Sequence, residues 1–365
     1  MKNHIFKLPV RRILIRKKGV ALLMVIWILM LLTVIVTEFC YTMRSQVNIT
    51  RNLKESTQVY YVAQAGINRA IAAVIRDRMS QGQSRDEAEE DITDEQSPKW
   101  RINTEMPPIE YGGGKFTVRI QNESGRVDLN RAGPKILRAI LDGFDLEEEQ
   151  TDMIVDSILD WRDGNDLRRP NGAENKYYQS LDPPYACKYA DFDTVSELLL
   201  VKGVPPDIFY NGLDRITTVL PAAKDKAEKD KTLAGDYNFD QININAATTD
   251  MWRRLPGMTP ELVKDVKEFR KEKNFRSKSQ LIEVLGGEVY GKIAPYINFD
   301  SLSYYTISAV GGMEGSGSRQ GIEVTMAFDP ESDKGYRIIS WRDGIPENNA
   351  ALLAAGRNES EQRSF

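Results

Sequence analysis

The chain opens with an uninterrupted apolar stretch that continues into a helical pattern. Residues 20–37 carry no charge, and as a helix these 18 residues span about 27 Å, close to the hydrocarbon thickness of a bilayer. Apolar residues then recur at helical spacing as far as Ile75, and no proline occurs between Val20 and Asp77. We therefore predict one long helix that leaves a membrane and merges with a folded body.

Strands are predicted near both ends of the remaining chain. Residues 115–121 alternate apolar and polar side chains after a glycine-rich turn. Three further stretches with strand character lie at 304–310, 322–328 and 336–341. Residues 130–300 between these groups are mainly of helix and loop character. The pattern predicts an α+β fold in which a small antiparallel sheet is interrupted by a large α-helical insertion.

The predicted insertion contains two glycine-centred helical hairpins. One spans residues 195–217 around Gly203, and the other begins at Asn243 and turns at Gly257. In both, an apolar helix reaches a glycine-containing turn and a second helix follows, so they resemble helix-hairpin-helix modules. Such hairpins can direct backbone N–H groups at a phosphate, which makes DNA binding an alternative function.

Two features of the hairpins count against DNA binding. Thr259 stands where a second hairpin glycine is expected, and Pro205 and Pro206 follow Gly203 closely. Basic and acidic side chains also alternate along the second hairpin, which is typical of a solvated helix face. We favour a scaffold that packs against protein.

Charge is distributed very unevenly along the sequence. Residues 1–19 hold seven basic side chains, and the first acidic residue is Glu38. Without those 19 residues, 42 basic side chains would face 53 acidic ones, a formal charge of -11. An acidic body is a poor partner for a phosphate backbone. The basic cluster before the apolar stretch predicts a cytoplasmic N-terminus and a periplasmic body.

The start of the apolar stretch has the pattern of a processing site. No small-residue cleavage site follows residue 37, so we expect the apolar helix to be retained. Gly19 lies between Lys18 and Val20, and this arrangement resembles a prepilin leader, which a membrane aspartic peptidase cuts after the glycine before methylating the new N-terminus. An uncleaved signal anchor with an incidental Gly19 explains this segment equally well.

Residue usage argues against most enzymes. His4 is the single histidine and lies in the predicted leader, which removes histidine-dependent catalysis from a processed chain. Cys40 and Cys187 are the two cysteines, too few for a disulfide framework or a thiolate metal cluster. A hydrolase with paired acids is a third class of function, but no opposing carboxylate pair or aromatic platform can be identified. We expect a protein that is not an enzyme.

A long irregular segment follows a predicted helix in the insertion. Asp145 and Glu148 form a capping-box pattern that predicts the helix start, and Trp161 lies on its apolar face. About thirty residues up to Phe192 then lack any regular period, although several tyrosines argue against disorder. So long an irregular loop in a compact domain is usually functional when it is ordered.

Oxygen-bearing side chains in this segment suit a hard cation, and calcium tolerates irregular geometry best. In the alternative interpretation, which has equal weight, Asp163 and Asp166 form turns and the arginines at positions 162, 168 and 169 neutralise the acids. The candidate ligands are Asp160, Asp163, Asp166, Glu174 and Asn175.

Several motifs in a fixed order resemble one family. Gly19 precedes the apolar helix, and the loop contains Asp160-Trp-Arg-Asp-Gly-Asn-Asp and Arg169-Pro-Asn-Gly-Ala-Glu. The hairpins contain Ser196-Glu-Leu-Leu-Leu-Val-Lys-Gly-Val and Ile242-Asn-Ile-Asn-Ala-Ala. This order looks like the minor pseudopilin K family of type II secretion systems, also called general secretion pathway protein K, over nearly the whole chain.

The resemblance implies a pilin-like long N-terminal helix packed on a small antiparallel sheet, with a large inserted α-helical domain. It also implies calcium bound near the loop from Asp163 to Glu174. The implied segments are a prepilin leader (1–19), a transmembrane and extended pilin helix (20–80), a linker with the first part of the sheet (81–129), the helical domain (130–300), the C-terminal strands (301–344) and a polar tail (345–365).

Met24 is the main departure from the common pilin pattern. Most pilins carry a glutamate at this fifth position after the leader, where it pairs with a neighbouring subunit's N-terminus, and a buried carboxylate without a partner is costly. Met24 therefore suits a filament tip, or else marks a chain that is not a pilin.

The implied role is to start assembly of a short filament, the pseudopilus, that pushes folded substrates across the outer membrane. The implied partners are the minor pseudopilins I and J, the major pseudopilin, the inner-membrane assembly platform and the prepilin peptidase, with no nucleic acid. The implied location is a single pass through the inner membrane.

Overall fold

A computed structural model describes residues 18–80, 100, 102–104, 106–221, 237–313 and 317–344. The predicted leader up to residue 17, the linker residues 81–99 and the tail beyond 344 lie outside the described residues. The chain divides in sequence into two compact units between Thr57 and Gln58. The predicted segment boundaries stay predictions.

The described part of the first unit is helical throughout. Helix α1 (Lys18–Ser80) begins in this unit and ends in the second, which confirms the long predicted helix. Side chains from Val20 to Lys54 are exposed. The most apolar 18-residue window in α1 has a mean hydropathy of 2.9. The helix is therefore long and apolar enough to cross a membrane.

The second unit contains an antiparallel sheet of five described strands. The spatial order is β1-β2-β7-β8-β9, so strand β7 near the C-terminus pairs with β2 near the beginning of the unit. All four strand regions predicted from the alternation are confirmed, whereas the three-residue edge strand β1 was not predicted. The strands are β1 (Ile109–Tyr111), β2 (Gly114–Asn122), β7 (Tyr304–Met313), β8 (Arg319–Phe328) and β9 (Tyr336–Asp343).

One face of the sheet packs on the last part of α1. Alternation in β2 places Phe116, Val118 and Ile120 in a core with Ile67 and Val74 of the helix. The helix approaches β7 so closely at Gly311 that an added Cβ would lie 2.4 Å from the Val59 carbonyl oxygen. Glycine is required there because any side chain would push helix and sheet apart.

Helices and short strands between β2 and β7 form the predicted helical insertion, so the α+β fold is confirmed. A second and larger core lies within this region. Its helices are α2 (Pro134–Asp142), α3 (Glu148–Arg162), α4 (Asn175–Tyr178), α5 (Pro206–Ile208), α6 (Asp214–Ile216), α7 (Thr249–Arg254), α8 (Pro260–Glu272), α9 (Lys278–Leu285) and α10 (Gly287–Ile293), with 3-10 turns at Glu123–Gly125, Val195–Leu200 and Ala294–Tyr296 and a π-helical turn at Phe209–Leu213.

The insertion is built from two copies of one folding unit. In the first copy, strand β3 (Val127–Asp128) pairs in parallel with β4 (Thr217–Thr218) after the intervening helices. In the second copy, strand β5 (Ile242–Asn243) pairs in parallel with β6 (Ile297–Asn298) in the same way. We call residues 127–218 the first repeat and residues 242–298 the second repeat.

Matching side chains hold both repeats together. The Asn130 amide exchanges two hydrogen bonds with the Phe192 backbone, at 2.7 and 3.0 Å. The Asn245 amide exchanges two with the Phe275 backbone, at 2.8 and 2.9 Å. Each asparagine lies three residues after the start of its strand, so it clamps a distant phenylalanine to the first turn of its repeat.

Half-buried arginines repeat in the same way. Arg162 donates to the Ala132 carbonyl at 2.7 Å, and Arg270 donates to the Ala247 carbonyl at 2.5 Å. Each repeat is therefore larger than the hairpin identified in the sequence, because it contains two helical hairpins rather than one.

The predicted capping box at Asp145 and Glu148 is wrong. Helix α3 begins at Glu148 with Glu147 as its N-cap, and Asp145 has a left-handed φ of 56°. The turn after α2 uses Asp145 to redirect the chain, and Leu146 packs against the core before the helix begins. Core packing of this turn therefore overrides the local capping pattern.

Candidate functional site

The irregular segment noted in the sequence is an insertion in the first repeat. Helix α3 ends at Arg162, and the 29 residues Asp163–Asp191 separate it from the clamped Phe192. In the second repeat, α8 ends at Glu272 and only Lys273 and Asn274 precede the clamped Phe275. We call residues 163–191 the insert loop. The second repeat closes without such a loop. The insert loop is therefore an added element of the first repeat.

Aromatic side chains anchor the insert loop to the core. Tyr178 is fully buried, and its ring lies 5.1 Å from the ring of Trp161 and 5.4 Å from the ring of Tyr185. Cys187 is buried beside them. Burial of these rings stabilises the loop without regular secondary structure beyond the one-turn helix α4.

Asp160 lies beneath the insert loop, and its carboxylate binds residues of that loop. Its side chain is 0% exposed, and burial raises its carboxyl pKa above the ordinary value. It accepts hydrogen bonds from the Arg169 backbone N–H at 3.2 Å and from the Arg169 guanidinium at 2.5 Å. A Cβ added to Gly172 would lie 2.0 Å from one carboxylate oxygen. Both oxygens of Asp160 are therefore closely surrounded by the loop.

Asp163 lies nearer the surface and also contacts Arg169. One carboxylate oxygen is 2.6 Å from the guanidinium, and the other accepts from the side-chain amide of Asn165 at 2.9 Å. Asp166, which is exposed, accepts from the Tyr189 hydroxyl at 2.6 Å. These two acids thus have partners but remain accessible from one side of the loop.

Glu174 is the exceptional member of the group. It is 4% exposed, and neither carboxylate oxygen has a hydrogen-bond partner within the described residues. Burial, and then the negative charges of Asp160, Asp163 and Asp166, raise its pKa to about 7. The nearby Tyr189 hydroxyl lowers that pKa slightly but donates to Asp166. A buried carboxylate without a partner is unfavourable. A bound cation or a proton would therefore stabilise Glu174.

The fifth predicted ligand is used within the fold. The Asn175 side-chain oxygen accepts a hydrogen bond from the Cys187 backbone N–H at 3.2 Å. Asn175 thereby fixes the end of the loop that carries Cys187.

The donor set fits a hard cation because every candidate atom is oxygen and Glu174 lacks a partner. In the part of the chain that the structure describes, no group of three or more acidic, histidine or cysteine side chains is placed to hold a metal ion. Arg169, which contacts both Asp160 and Asp163, lies among them. Among these acids, the Glu174 carboxylate is the one without a hydrogen-bond partner, whereas Asp163 and Asp166 have partners nearer the surface.

The contacts of Tyr189 and Gly172 with the candidate ligands were not predicted from the sequence. Tyr189 has a left-handed φ of 52°, and the close approach of Gly172 to Asp160 follows from a tertiary contact. The alternative interpretation did assign Arg169 to neutralise the acids. Arg162, which it assigned to the same task, instead donates to the Leu129 and Ala132 carbonyls.

The residues of the predicted processing site lie far from the insert loop in sequence, at the start of α1. Gly19 and Val20 are in the first turn of α1, and the Val20 and Met24 side chains are exposed. No charged side chain lies between Val20 and Thr37.

Comparison with known sequences gives consistent matches. A family model described as type II secretion system (T2SS), protein K matches residues 118–222. The type II secretion system protein K of Pseudomonas aeruginosa is 25% identical over 280 residues, which cover 74% of this chain and 77% of that protein. Its counterpart in Escherichia coli K12 is 23% identical over 307 residues, covering 80% of this chain and 90% of that protein.

A solved structure shares the fold. A chain of the GspK-GspI-GspJ complex from the type 2 secretion system of enterotoxigenic Escherichia coli matches with a TM-score of 0.53 and 14% identity. The match covers 81% of this chain and 99% of that chain. The family model and the curated relatives agree in their similarity to type II secretion system protein K, and the solved structure agrees with them in fold.

Proposed function

We propose that this chain is the tip subunit of the pseudopilus and starts its assembly. The supporting observation is the apolar first section of α1, which carries Met24 and no carboxylate before Glu38. A subunit with no neighbour above it has no N-terminal amine to pair with, and an unpaired carboxylate in lipid would be unfavourable. We infer that such a subunit acts through structure rather than catalysis.

The proposed companions are I-type and J-type minor pseudopilins, because a chain with this fold was solved in a GspK-GspI-GspJ complex. Beyond the apolar section, α1 still exposes Val47, Ile49 and Leu53. Exposed aliphatic side chains on a helix that also carries charges favour packing against similar helices. The body would lie in the periplasm, with the basic N-terminus in the cytoplasm.

Secretion by a bacterium lacking its own copy of this gene tests the tip placement. The wild-type full-length chain and a Met24→Leu control should restore export, whereas Met24→Glu should restore it poorly because the carboxylate has no partner. Mass spectrometry of the purified chain should show methylated Val20 at its N-terminus. Full export by Met24→Glu with incorporation along the whole filament would contradict the tip placement, and an intact Met1 would contradict processing.

We also propose that the insert loop binds calcium, and the unpartnered Glu174 carboxylate supports this. Glu174, Asp163 and Asp166 would hold the ion, which would supply positive charge to the loop. Full-length chain in detergent, freed of metal with chelator, should bind calcium in a calorimetric titration and unfold at higher temperature with it. Glu174→Gln should lose most of this effect. Absence of binding at millimolar calcium would reject the site.

A further inference from the structure

Arg169 connects two acids that differ in burial. One guanidinium nitrogen lies 2.5 Å from Asp160 and 2.6 Å from Asp163. The Asp160 side chain is 0% exposed, whereas that of Asp163 is 22% exposed. The Arg169 side chain itself is 35% exposed, so it reaches inward from the surface of the insert loop.

Among the described residues, ion pairs with Arg169 balance two of the neighbouring carboxylates, while Arg162 and Lys202 donate to backbone carbonyls nearby. Four carboxylates, Asp160, Asp163, Asp166 and Glu174, act on one another electrostatically. Among the described residues, Arg169 is the side chain that forms ion pairs with two of them, while neighbouring Arg168 is exposed. Within the described residues, the Glu174 carboxylate accepts no hydrogen bond, so the ion-free loop is incompletely neutralised. A second positive group would therefore be stabilised here.

The contacts of Arg169 with the two acids differ in strength. Asp160 also receives the Arg169 backbone N–H and lies against Gly172, so it cannot turn away. Asp163 ends helix α3 as its C-cap, and its other partner is Asn165 within the same turn. The Asp163 contact can therefore break while the Asp160 contact remains.

Resting on the calcium site proposed above, we propose that Arg169 is a built-in counter-ion that substitutes for the cation in the ion-free protein. Arg169 holds Asp163 when no ion is present and releases it when calcium is bound, while Asp160 keeps the arginine in the loop. Arg169 thus competes with calcium for one carboxylate and sets the affinity of the site.

Calorimetric titration of full-length chain in detergent tests this competition. Arg169→Gln should bind calcium on the order of tenfold more tightly than wild type, because a competing positive charge is gone. Its ion-free form should unfold at lower temperature. Arg168→Gln removes an adjacent, exposed positive charge and should bind calcium like wild type. Unchanged or weaker binding by a folded Arg169→Gln chain would overturn the proposal.

Wild-type protein gives an independent readout if Arg169→Gln fails to fold. An arginine-specific dicarbonyl reagent should modify Arg169 faster with calcium than with chelator, and Arg168 in the same peptide serves as the internal reference. Equal or slower modification of Arg169 with calcium would overturn the exchange. If wild type binds calcium and Arg169→Gln binds it no more tightly, the calcium site stands and the counter-ion role alone fails. If neither binds, both proposals fail.

Discussion

Gly172 sets how closely the insert loop approaches its buried anchor. An added Cβ would lie 2.0 Å from an Asp160 carboxylate oxygen, whereas one at Gly164 would meet nothing within 4 Å. Gly172→Ala should therefore lower the free energy of unfolding by about 1–3 kcal/mol, as other overpacked sites do. Gly164→Ala, in the same loop, should leave it nearly unchanged. Thermal unfolding of the two variants measures the difference, and equal stability would contradict the described packing.

Glu174 should make stability depend on pH in the ion-free protein. Its folded pKa of about 7 exceeds the ordinary 4.5, so between these values the folded state keeps a proton that the unfolded state has lost. The resulting stabilisation is complete below pH 4.5 and disappears as pH rises through 7. Its size is on the order of 1–3 kcal/mol.

Denaturant unfolding in chelator at pH 5 and pH 8 measures this dependence. Wild type should lose more stability between the two values than Glu174→Gln, which has no proton to release there. Asp128, whose pKa is also raised by burial, is not among the charges that act on Glu174 and contributes equally to both proteins. Identical pH profiles would show that Glu174 is not buried as described.

The sequence was sufficient to predict which residues supply oxygen donors to the candidate site, but not how those donors are arranged. The acids Asp163, Asp166 and Glu174 stood out because they crowd one irregular segment. Which of them lacks a partner depends on where Arg169 and Tyr189 point, and those directions come from the fold of the whole loop. Local sequence therefore gave the composition of the candidate site but not its geometry.

At the scale of elements, regular periods were the reliable signal. The long helix α1 and strands β2, β7, β8 and β9 repeat their apolar positions often enough to be recognised. Strands β3 to β6 have two residues each, too short for any period. The duplication was missed for this reason, and also because the insert loop separates Arg162 from Phe192 in only one copy.

The asparagine clamps should be among the stronger single contributions to the repeats. Asn245→Ala removes two hydrogen bonds and leaves the Phe275 backbone groups without these partners. We expect a loss of about 1–3 kcal/mol in the free energy of unfolding. Asn274→Ala, at an exposed neighbouring position, should change it by less than about 0.5 kcal/mol. Similar stability of the two variants would contradict the clamp.

For the whole molecule, the surroundings of the half-buried Gly203 and the exposed Gly257 bear on the alternative of DNA binding. A Cβ on Gly203 would lie 3.2 Å from the Ile154 side chain, and one on Gly257 would lie 3.1 Å from that of Lys292. Side chains of the same chain thus lie against the turns that would have to face a phosphate. Full-length protein should not retard duplex DNA at 150 mM salt. A salt-sensitive shift that Lys264→Glu weakens would instead favour the DNA reader.

The pairing of β2 with β7 has a consequence for how the protein is made. Residues 123–303 lie between these strands, so both helical repeats emerge and can close before the central pair of the sheet forms. Until then the face that receives α1 is incomplete, and β2 has an unpaired edge. A stop codon near residue 300 would leave both repeats intact. It would remove β7, β8 and β9, and with them most of the sheet on which α1 packs.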